Sequence, residues 1–270
     1  MADDRIVERT TQHAFDSAAP VYDAQYEELY GIKRLRRIIH ACYLRHFRPG
    51  QRLLELNCGT GTDAIVLAQN RMHVLATDLS PAMIAEAQKK VEAARVVESV
   101  ELRVLSYLDL GSLRGEKFDG AYSNMGGINC TNDLGIVAAH LGSLIQPGGF
   151  FIATVLTNFC LWETLAFLGR GKLRQAFRRR KKAGVAAHLH GGRVQTYYFS
   201  PRAFASAFAN WFDVVSIAGL NIFTPPPNSP RAYSLVPKLM RLLERLDDSV
   251  AHISPFSAIG DHFLIVLRRR

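Results

Sequence analysis

A short apolar segment beginning at residue 52 leads into residues that could bind a ligand. Residues 52–57 have the composition of a buried strand; they include Glu55 and are followed by Gly59 and Gly61. Glycine where a strand turns into a helix lets the backbone approach a ligand closely, because no Cβ intervenes. The spacing therefore predicts a binding loop directly after this strand, with one carboxylate beside it.

Two classes of ligand are compatible with this loop. The pattern Gly59-x-Gly61-x-x-Ala64, with Asp78 lying 19 residues after Gly59, satisfies the fingerprint of a dinucleotide site. Glu55 argues against NAD, because a pyrophosphate requires positive potential and free backbone N–H groups. S-adenosylmethionine (SAM) carries an ammonium group and a ribose but no phosphate, so it fits a site with this carboxylate better. SAM is the favoured ligand, and NAD remains the alternative.

The residues that follow alternate between strand and helix patterns. The sequence predicts strands over 52–57, 73–78, 100–105, 118–123 and 150–156. Helices are predicted between them over 62–70, 81–95 and 133–145. Ser80 and Pro81 are typical of an N-cap and of a first helical residue. Strands separated by helices of this length indicate parallel βαβ units with right-handed crossovers, hence a doubly wound α/β sheet.

The two ends of the chain carry different patterns. Residues 10–30 and 31–47 are predicted to be helices, because their apolar positions recur at helical spacing. After residue 156 we expect a basic helix over 159–182, a small and Gly/His-rich segment over 183–192 and a strand over 195–199. A helix opened by Ser200-Pro201, strands over 212–217 and 262–267, a Pro-rich loop at 225–230 and an amphipathic helix over 235–246 complete the prediction.

The composition excludes several classes of protein. The 270 residues are 48% apolar and 21% charged, with a mean hydropathy of +0.01, which excludes a disordered or collagen-like chain. No apolar run has the 18 or so residues of a membrane span. The polar, acidic N-terminus predicts a cytoplasmic rather than a secreted protein. The four cysteines show no CxxC spacing, so we expect reduced thiols and neither disulfides nor structural zinc.

Positive charge is concentrated in the C-terminal part of the chain. Residues 1–160 hold 16 Lys and Arg against 18 Asp and Glu, whereas residues 161–270 hold 17 against 6. The densest stretch, residues 170–182, contains eight basic side chains in thirteen. Such a stretch can attract an anionic substrate, nucleic acid or a membrane surface, or it can be a solvated helix face.

The ordered series of motifs resembles the class I SAM-dependent methyltransferases, particularly their type 11, or UbiE-like, small-molecule group. The resemblance covers residues 14–156 and, more loosely, the last strand. The residues that carry it are Ala14-Phe-Asp16 with Tyr22-Asp23, Leu53-Leu-Glu-Leu-Asn-Cys-Gly-Thr-Gly61, Ala76-Thr-Asp-Leu-Ser-Pro-Ala-Met83, Leu108-Asp-Leu110, Phe118-Asp119 and Leu144-Ile-Gln-Pro-Gly-Gly149. Asn57 stands where the family usually has glycine, and Asn is well suited to replace Gly in a left-handed conformation.

The resemblance implies a single methyltransferase domain over 1–270 with a doubly wound, mainly parallel, seven-stranded, Rossmann-like sheet. N-terminal lid helices would occupy 1–48, the SAM-binding core 49–156, a helical substrate cap 157–200, and the C-terminal part of the sheet 201–270. SAM is the implied cofactor, S-adenosylhomocysteine the product, and no metal is expected.

The resemblance also implies roles for individual residues. Glu55 would lie near the methionine ammonium, Asp78 would accept hydrogen bonds from the ribose hydroxyls, and Asp109 would accept one from the adenine amino group. The complete set of implied cofactor-binding residues is Tyr22, Glu55, Asn57, Cys58, Gly59, Gly61, Thr62, Asp78, Leu79, Met83, Leu108, Asp109, Leu110, Asn124 and Met125.

The sequence also offers candidate residues for a catalytic base and for the pocket that binds the methyl acceptor. His188, His190 and His262 are candidate bases by pKa range alone, and Tyr197, Tyr198 and Asn129 are candidates for the acceptor pocket. The segment after the fourth strand, Ser123-Asn-Met-Gly-Gly127, lacks the Asn/Asp-Pro-Pro-Tyr/Phe pattern of many amino methyltransferases, which disfavours nucleic acid. We expect a small-molecule acceptor, partly apolar or anionic. An RNA or protein methyltransferase and a non-catalytic SAM-binding protein remain alternatives.

Overall fold

A seven-stranded sheet forms the centre of the computed structural model, which describes residues 2–189 and 192–270. The strand order is β3-β2-β1-β4-β5-β9-β8. Strands β1 to β5 are parallel, whereas β9 is antiparallel to both β5 and β8. The strands are β1 (Arg52–Leu56), β2 (His73–Asp78), β3 (Val100–Val104), β4 (Phe118–Ser123), β5 (Ile145–Leu156), β8 (Phe212–Leu220) and β9 (His262–Arg269). The predicted doubly wound, mainly parallel sheet is therefore confirmed.

Helices cover both faces of this sheet, and a hairpin stands apart from it. The hairpin consists of β6 (Val185–Leu189) and β7 (Gly192–Thr196). The helices are α1 (Ala2–Tyr26), α2 (Tyr30–His46), α3 (Thr62–Gln69), α4 (Pro81–Ala93), α5 (Leu134–Leu144), α6 (Leu161–Leu168), α7 (Leu173–Ala176), α8 (Pro201–Phe208), α9 (Pro230–Leu235) and α10 (Pro237–Val250). Among the described residues, no helix is long and apolar enough to cross a membrane.

The central strands read as apolar runs because both of their faces are buried. On one face, Phe151 of β5 stacks on Phe208 of α8, with ring centroids 5.3 Å apart. On the other face, Tyr43 of α2 packs against Tyr122 of β4 at 4.8 Å. These two apolar layers hold the carboxyl ends of β1 to β4 in one row.

The predicted helix starts at Ser80 and Ser200 are confirmed. The Ser80 hydroxyl accepts a hydrogen bond from Met83 N, and the Ser200 hydroxyl accepts one from Ala203 N, each at 3.1 Å. In both cases a proline occupies the first turn. The N-cap side chain satisfies a backbone donor that has no partner within the helix, which fixes where the helix begins.

The prediction of one basic helix over 159–182 is wrong. The segment is broken into α6, α7 and a 3-10 turn at Arg178–Arg180, with Gly171 in a left-handed conformation (φ 69°) between the two helices. Two leucines of this segment, Leu165 and Leu173, are 59% and 65% exposed. The apolar residues of this segment do recur at helical spacing. The glycines at 169 and 171 interrupt the helix, however, so these residues do not form one continuous face.

Two neighbouring predictions also need correction. Residues 183–192 contain strand β6, where we expected only a small, Gly/His-rich segment, and the strand predicted over 195–199 lies at Gly192–Thr196 instead. The shift has a physical reason, because β7 pairs with β6 in a hairpin, and pairing register rather than aromatic content decides the strand's bounds.

Two long connections leave the sheet at the same edge, one after β5 and one after β8, and the second also returns to the sheet there. Leu156 at the end of β5 and Leu220 at the end of β8 both pair with His262 at the start of β9. Residues 157–199 and 221–261 therefore both lie at the edge where the parallel strands end. Arg179 joins them, since its guanidinium donates to Glu163 at 2.7 Å and to Asp261 at 2.6 Å.

Candidate active site

A cavity that opens to solvent lies beyond the carboxyl ends of β1 to β4 and beneath α1. In open α/β sheets ligands bind at this edge of the strands. The lining residues are Glu8, Thr11, Phe15, Tyr22, Arg36, Asn57, Cys58, Gly59, Thr60, Asp63, Asp78, Leu79, Met83, Leu105, Ser106, Tyr107, Asn124, Met125, Gly127 and Cys130.

The loop after β1 has the left-handed turns that the sequence predicted. Asn57 has φ 53°, and Gly59 and Gly61 have φ 54° and 78°. Nothing lies within 4 Å of the position that a Cβ on Gly59 would occupy, so this face of the loop is open. The expectation that Asn57 replaces the usual glycine in a left-handed conformation is confirmed.

Asn57 also connects this loop to the turn after β4. Its Oδ1 accepts a hydrogen bond from the Ser123 hydroxyl at 2.9 Å. A Cβ on Gly127 would lie only 2.0 Å from Asn57 Nδ2, so the two turns approach each other as closely as glycine permits. The amide side chain therefore fixes the spacing between the two loops on this side of the cavity.

Asp78 presents a carboxylate at the end of β2. Oδ2 accepts a hydrogen bond from Gly59 N at 2.8 Å, and Oδ1 accepts one from Ser80 N at 2.9 Å. Burial raises the pKa of Asp78 to about 6, although these backbone amides oppose the rise. Each oxygen retains a lone pair for a further donor, so the carboxylate can accept two hydroxyl groups of a ribose.

A buried charged cluster lies at the start of α3. Asp63 accepts hydrogen bonds from Arg36 at 2.7 Å and from Asn124 at 2.7 Å, and it contacts His40 Nε2 at 2.6 Å. Burial alone would raise the pKa of Asp63, but the charge of Arg36 and the hydrogen bonds of His40 and Asn124 lower it well below its usual value. Asp63 and Arg36 thus give this end of the cavity one anionic and one cationic group.

Glu55 lies beneath the cavity rather than on its wall. It is 1% exposed and accepts a hydrogen bond from the Tyr122 hydroxyl at 3.0 Å. Burial, and secondarily the nearby charge of Asp63, raise the pKa of Glu55 well above its usual value. The carboxylate that lines the cavity at this end is Asp63, and contact between Glu55 and an ammonium group stays a prediction.

Helix α1 forms the roof of the cavity and is tied to it by polar contacts. Asp16 accepts hydrogen bonds from the Ser80 hydroxyl at 2.5 Å and from Ala82 N at 3.2 Å. Further along the helix, Asp23 accepts from the Thr60 hydroxyl at 2.6 Å and from Lys90 Nζ at 2.6 Å. The N-terminal helix therefore covers the loop after β1 and the start of α4.

Some of the predicted cofactor-binding residues line the cavity, and others lie away from it. Those on the wall are Tyr22, Asn57, Cys58, Gly59, Asp78, Leu79, Met83, Asn124 and Met125. Glu55, Gly61, Thr62, Leu108, Asp109 and Leu110 are not among the lining residues. Asp109 instead forms an ion pair with Arg5 of α1 at 2.7 Å, where both side chains are largely exposed. The roles of all these residues remain predictions.

The sequence analysis missed several lining residues, which fall into two groups. Leu105, Ser106 and Tyr107 directly follow β3, so the rule that ligands bind beyond strand ends could have found them. Thr11 and Phe15 of α1 and the pair Arg36 and Asp63 carry no spacing signal, because only the folded chain brings these helices together.

The candidate acceptor and base residues that the structure describes lie outside the cavity lining. Asn129 Nδ2 donates to Tyr197 O at 2.6 Å, and the Tyr198 ring contacts the Arg179 guanidinium at 4.9 Å. His188 lies on the exposed hairpin strand β6, and His262 is buried beside Asp261. His190 lies outside the described residues. None of these assignments is tested by the geometry, and each stays a prediction.

The cavity residues fit SAM as a ligand. The Thr11 hydroxyl is buried and has no hydrogen-bond partner among the residues that the structure describes, which indicates a polar group missing from its surroundings. Asp78 suits a ribose, Asp63 an ammonium and Arg36 a carboxylate, while Leu79, Met83 and Leu105 offer apolar surface for a base. In the described part of the chain, no group of three or more His, Cys, Asp or Glu side chains is placed to hold a metal ion.

Comparison with known proteins agrees with this geometry. Residues 53–149 match the model of a methyltransferase-domain family. An uncharacterised protein of Methanocaldococcus jannaschii is 24% identical over 74% of this chain and 77% of its own length. A demethylmenaquinone methyltransferase of Symbiobacterium thermophilum is 27% identical over 54% of this chain. That match spans only 58% of the relative's length.

Solved structures share the fold at low sequence identity. The [4+2]-cyclase SpnF superposes with a TM-score of 0.63 at 14% identity, covering 95% of this chain and 94% of that one. The geranyl diphosphate C-methyltransferase of Streptomyces coelicolor, solved with Mg²⁺, geranyl diphosphate and S-adenosylhomocysteine, gives 0.59 at 16% identity, covering 90% and 82%.

The sheet order, the cavity at the strand ends and the matched domain define one class of protein. The fold is that of the class I, Rossmann-like methyltransferases. Residues 53–149 match a methyltransferase domain, and the relatives named as methyltransferases support the interpretation of the chain as a class I SAM-dependent methyltransferase.

Proposed function

We propose that the chain transfers the methyl group of SAM to a small-molecule acceptor. The methyl group would pass in line from the sulfonium to an oxygen, nitrogen or carbon nucleophile, and S-adenosylhomocysteine would leave. Positioning the two reactants within one cavity can supply about 7–11 kcal/mol of the barrier reduction in favourable cases. If the nucleophilic atom of the acceptor carries a proton, that proton would be transferred to solvent or to a basic group of the acceptor molecule itself.

The observation that carries the small-molecule proposal is the roof over the cavity. Helix α1 is held to the wall by Asp16 and Asp23, and the hairpin packs against α1. A Cβ on Gly192 would lie 2.4 Å from Ala14 Cβ, so the hairpin and α1 are in close contact. An RNA or a folded protein would have to displace both elements to reach the cavity, whereas a small molecule would not.

The residues around the cavity also favour an acceptor with apolar surface. Phe15, Tyr107 and Met125 contribute much of the wall at the end facing β3 and β4. Two relatives point the same way, since one is named a demethylmenaquinone methyltransferase and another a 2-phytyl-1,4-naphtoquinone methyltransferase. We therefore propose a partly apolar acceptor that enters beside the turn after β4.

Labelled SAM tests the proposal directly. The protein is incubated with methyl-labelled SAM and a cell extract separated into small-molecule, RNA and protein fractions, with Asp78→Ala as the control. We expect label in the small-molecule fraction, with much less transfer by the variant. Label confined to RNA or protein would contradict the small-molecule assignment.

A second candidate is a SAM-binding protein with no methyltransferase activity. It is favoured by one observation, the match in fold to SpnF, a structure described as a cyclase. Calorimetric SAM binding at full stoichiometry, without label transfer to any fraction, would support it over methyl transfer.

A further inference from the structure

Helix α10 presents an apolar stripe to solvent. Leu239, Leu242 and Leu246 are 47%, 54% and 43% exposed. Their spacing of three and four residues places them on one side of the helix, where Leu243 and Val250 extend the same face. A helix that packs on a globular core ordinarily buries such a face. Here about half of each of the three leucines is in solvent, and none belongs to a core cluster of the described residues.

The polar side of α10 attaches the helix to the protein instead. Asp247 is 3% exposed and accepts hydrogen bonds from Phe223 N at 2.7 Å and from the Thr224 hydroxyl at 2.5 Å. Arg34 of α2 donates to Asp248 at 2.6 Å. Because these contacts hold the helix in place, the exposed leucines are not needed to dock it on the fold.

Basic side chains line one flank of the stripe. At about 100° per residue, Lys238, Arg241 and Arg245 lie together beside Leu242 on the solvent side. All three are exposed, and within the described residues none forms an ion pair with a carboxylate. The helix's own carboxylates are paired: Glu244 and Asp248 contact α2, and Asp247 accepts hydrogen bonds from residues 223–224. The side chain of Asp248 is 64% exposed but forms an ion pair with Arg34. The exposed surface of α10 is thus apolar and cationic, with no free anion.

A second surface of the same chemistry lies at the same edge of the sheet. In α6 and α7, the exposed Leu165 and Leu173 are close in sequence to the exposed Arg170, Lys172 and Arg174. Residues 157–199 begin at the edge where the cavity lies, and Phe199 pairs back with Thr157 there; residues 221–261 join the end of β8 to the start of β9 at the same edge. A partner bound to them would therefore meet the protein at its cavity edge.

We propose that α10 docks on an anionic lipid surface, with its leucines at the boundary of the acyl chains and its three cations at the headgroups. An exposed apolar stripe flanked by Lys and Arg is the pattern of helices that lie in the membrane interface. A second copy of the chain is disfavoured as the occupant, because it would bring Lys238, Arg241 and Arg245 against equivalent cations with no free carboxylate to pair with them.

Vesicle flotation of the full chain tests this surface, in the absence of SAM and of any acceptor. Vesicles of phosphatidylcholine are compared with vesicles that also contain phosphatidylglycerol. A cation near an anionic surface contributes about fivefold to affinity, so the triple variant Lys238→Gln, Arg241→Gln and Arg245→Gln should bind anionic vesicles about a hundredfold more weakly.

The matched control removes the same charge from the opposite edge of the sheet. Arg48, Arg71 and Arg95 are exposed and precede β1, β2 and β3. Their triple Gln variant should retain anionic-vesicle binding within a few-fold of wild type. Equal losses in the two triple variants would overturn the proposal, because binding would then reflect net charge alone.

The apolar part of the proposal has its own variant. Leu242→Ser with Leu246→Ser should weaken vesicle binding at least tenfold, while circular dichroism and Tm stay at wild-type values because both side chains are exposed. Failure of wild type to bind anionic vesicles would overturn the proposal. So would a dimer that forms without vesicles and dissociates in this variant, since the stripe would then be a self-association surface.

Discussion

Asp78 Oδ2 accepts a hydrogen bond from Gly59 N at 2.8 Å, so the end of β2 is fixed directly to the glycine loop that follows β1. Two parallel neighbouring strands thereby present one carboxylate and one open backbone surface to the same cavity. Gly59 itself has a left-handed φ of 54°, a conformation that favours glycine. Because the loop and the carboxylate position each other, a change in either one should affect ligand binding.

The first prediction concerns the loss of this carboxylate. Asp78→Ala should weaken SAM binding about 10- to 150-fold, because a hydrogen bond to a charged group is worth about 1.5–3 kcal/mol. Isothermal calorimetry measures the effect, with Asp213→Ala, an exposed acid on β8, as the control. A folded Asp78→Ala protein that binds SAM as tightly as wild type would show that the cofactor assignment is wrong.

The second prediction concerns the pH dependence of SAM affinity. Burial raises the pKa of Asp78 to about 6, and the ribose hydroxyls need the ionised carboxylate as acceptor. SAM affinity should therefore rise as the pH increases through about 6, and it should fall by up to about tenfold for each pH unit below that value. Asp78→Asn should flatten this profile between about pH 5 and pH 7. An unchanged profile in the variant would assign the titration to another group.

The third prediction concerns the buried pair between Arg179 and Asp261, whose nearest nitrogen and oxygen are 2.6 Å apart. Removing one partner of a buried pair leaves the other charge uncompensated, so Arg179→Met should lower the free energy of unfolding by about 3–5 kcal/mol. Urea denaturation measures it, and Arg180→Met, at an exposed position, is the matched control. Equal stability of the two variants would contradict the structural role of Arg179.

The pair between Arg179 and Asp261 also predicts how the free energy of unfolding changes at acid pH. Burial alone would raise the pKa of Asp261, but Arg179 and His262 lower it well below its usual value. A carboxyl group whose folded pKa is lowered contributes stability above its unfolded pKa of about 3.9, and the contribution is lost as the pH falls further. The unfolding free energy of wild type should therefore decline below about pH 4, and Asp261→Asn should reduce that decline.

The strand pattern could be predicted from sequence because buried parallel strands leave a direct signal. The bounds of β2 and β4 match the prediction residue for residue, and each strand ends at a polar residue, Asp78 and Ser123. The end of β3 was also placed within one residue. The predicted site residues that do line the cavity include those directly after the predicted strands, such as Asp78 and the loop around Gly59.

The parts that could not be predicted depend on contacts between distant segments. Arg36 and Asp63 are 27 residues apart on separate helices, and only the packing of α2 beside α3 joins them. The orientation of Glu55 is a similar case. Its contact with the Tyr122 hydroxyl follows from the pairing of β1 with β4, which no residue spacing reveals. The prediction of one helix over 159–182 was wrong for a local reason. The helical spacing of apolar residues continues in the sequence past glycines at which the helix ends.

The last prediction concerns the close approach of the two turns that flank the cavity. A Cβ on Gly127 would lie 2.0 Å from Asn57 Nδ2, so Gly127→Ala must displace the Asn57 side chain and with it the hydrogen bond from Ser123. Overpacking of this kind costs about 1–3 kcal/mol, and we expect a lower Tm together with a weaker SAM affinity, because Asn57 lies in the loop that lines the cavity. Gly135→Ala is the matched control, since its Cβ would meet no atom closer than 3.5 Å in the exposed first turn of α5. That variant should keep wild-type SAM affinity and gain slightly in stability, as alanine does in place of glycine in a helix. If Gly127→Ala bound SAM as tightly as Gly135→Ala, the spacing between the two turns would not control the shape of the cavity.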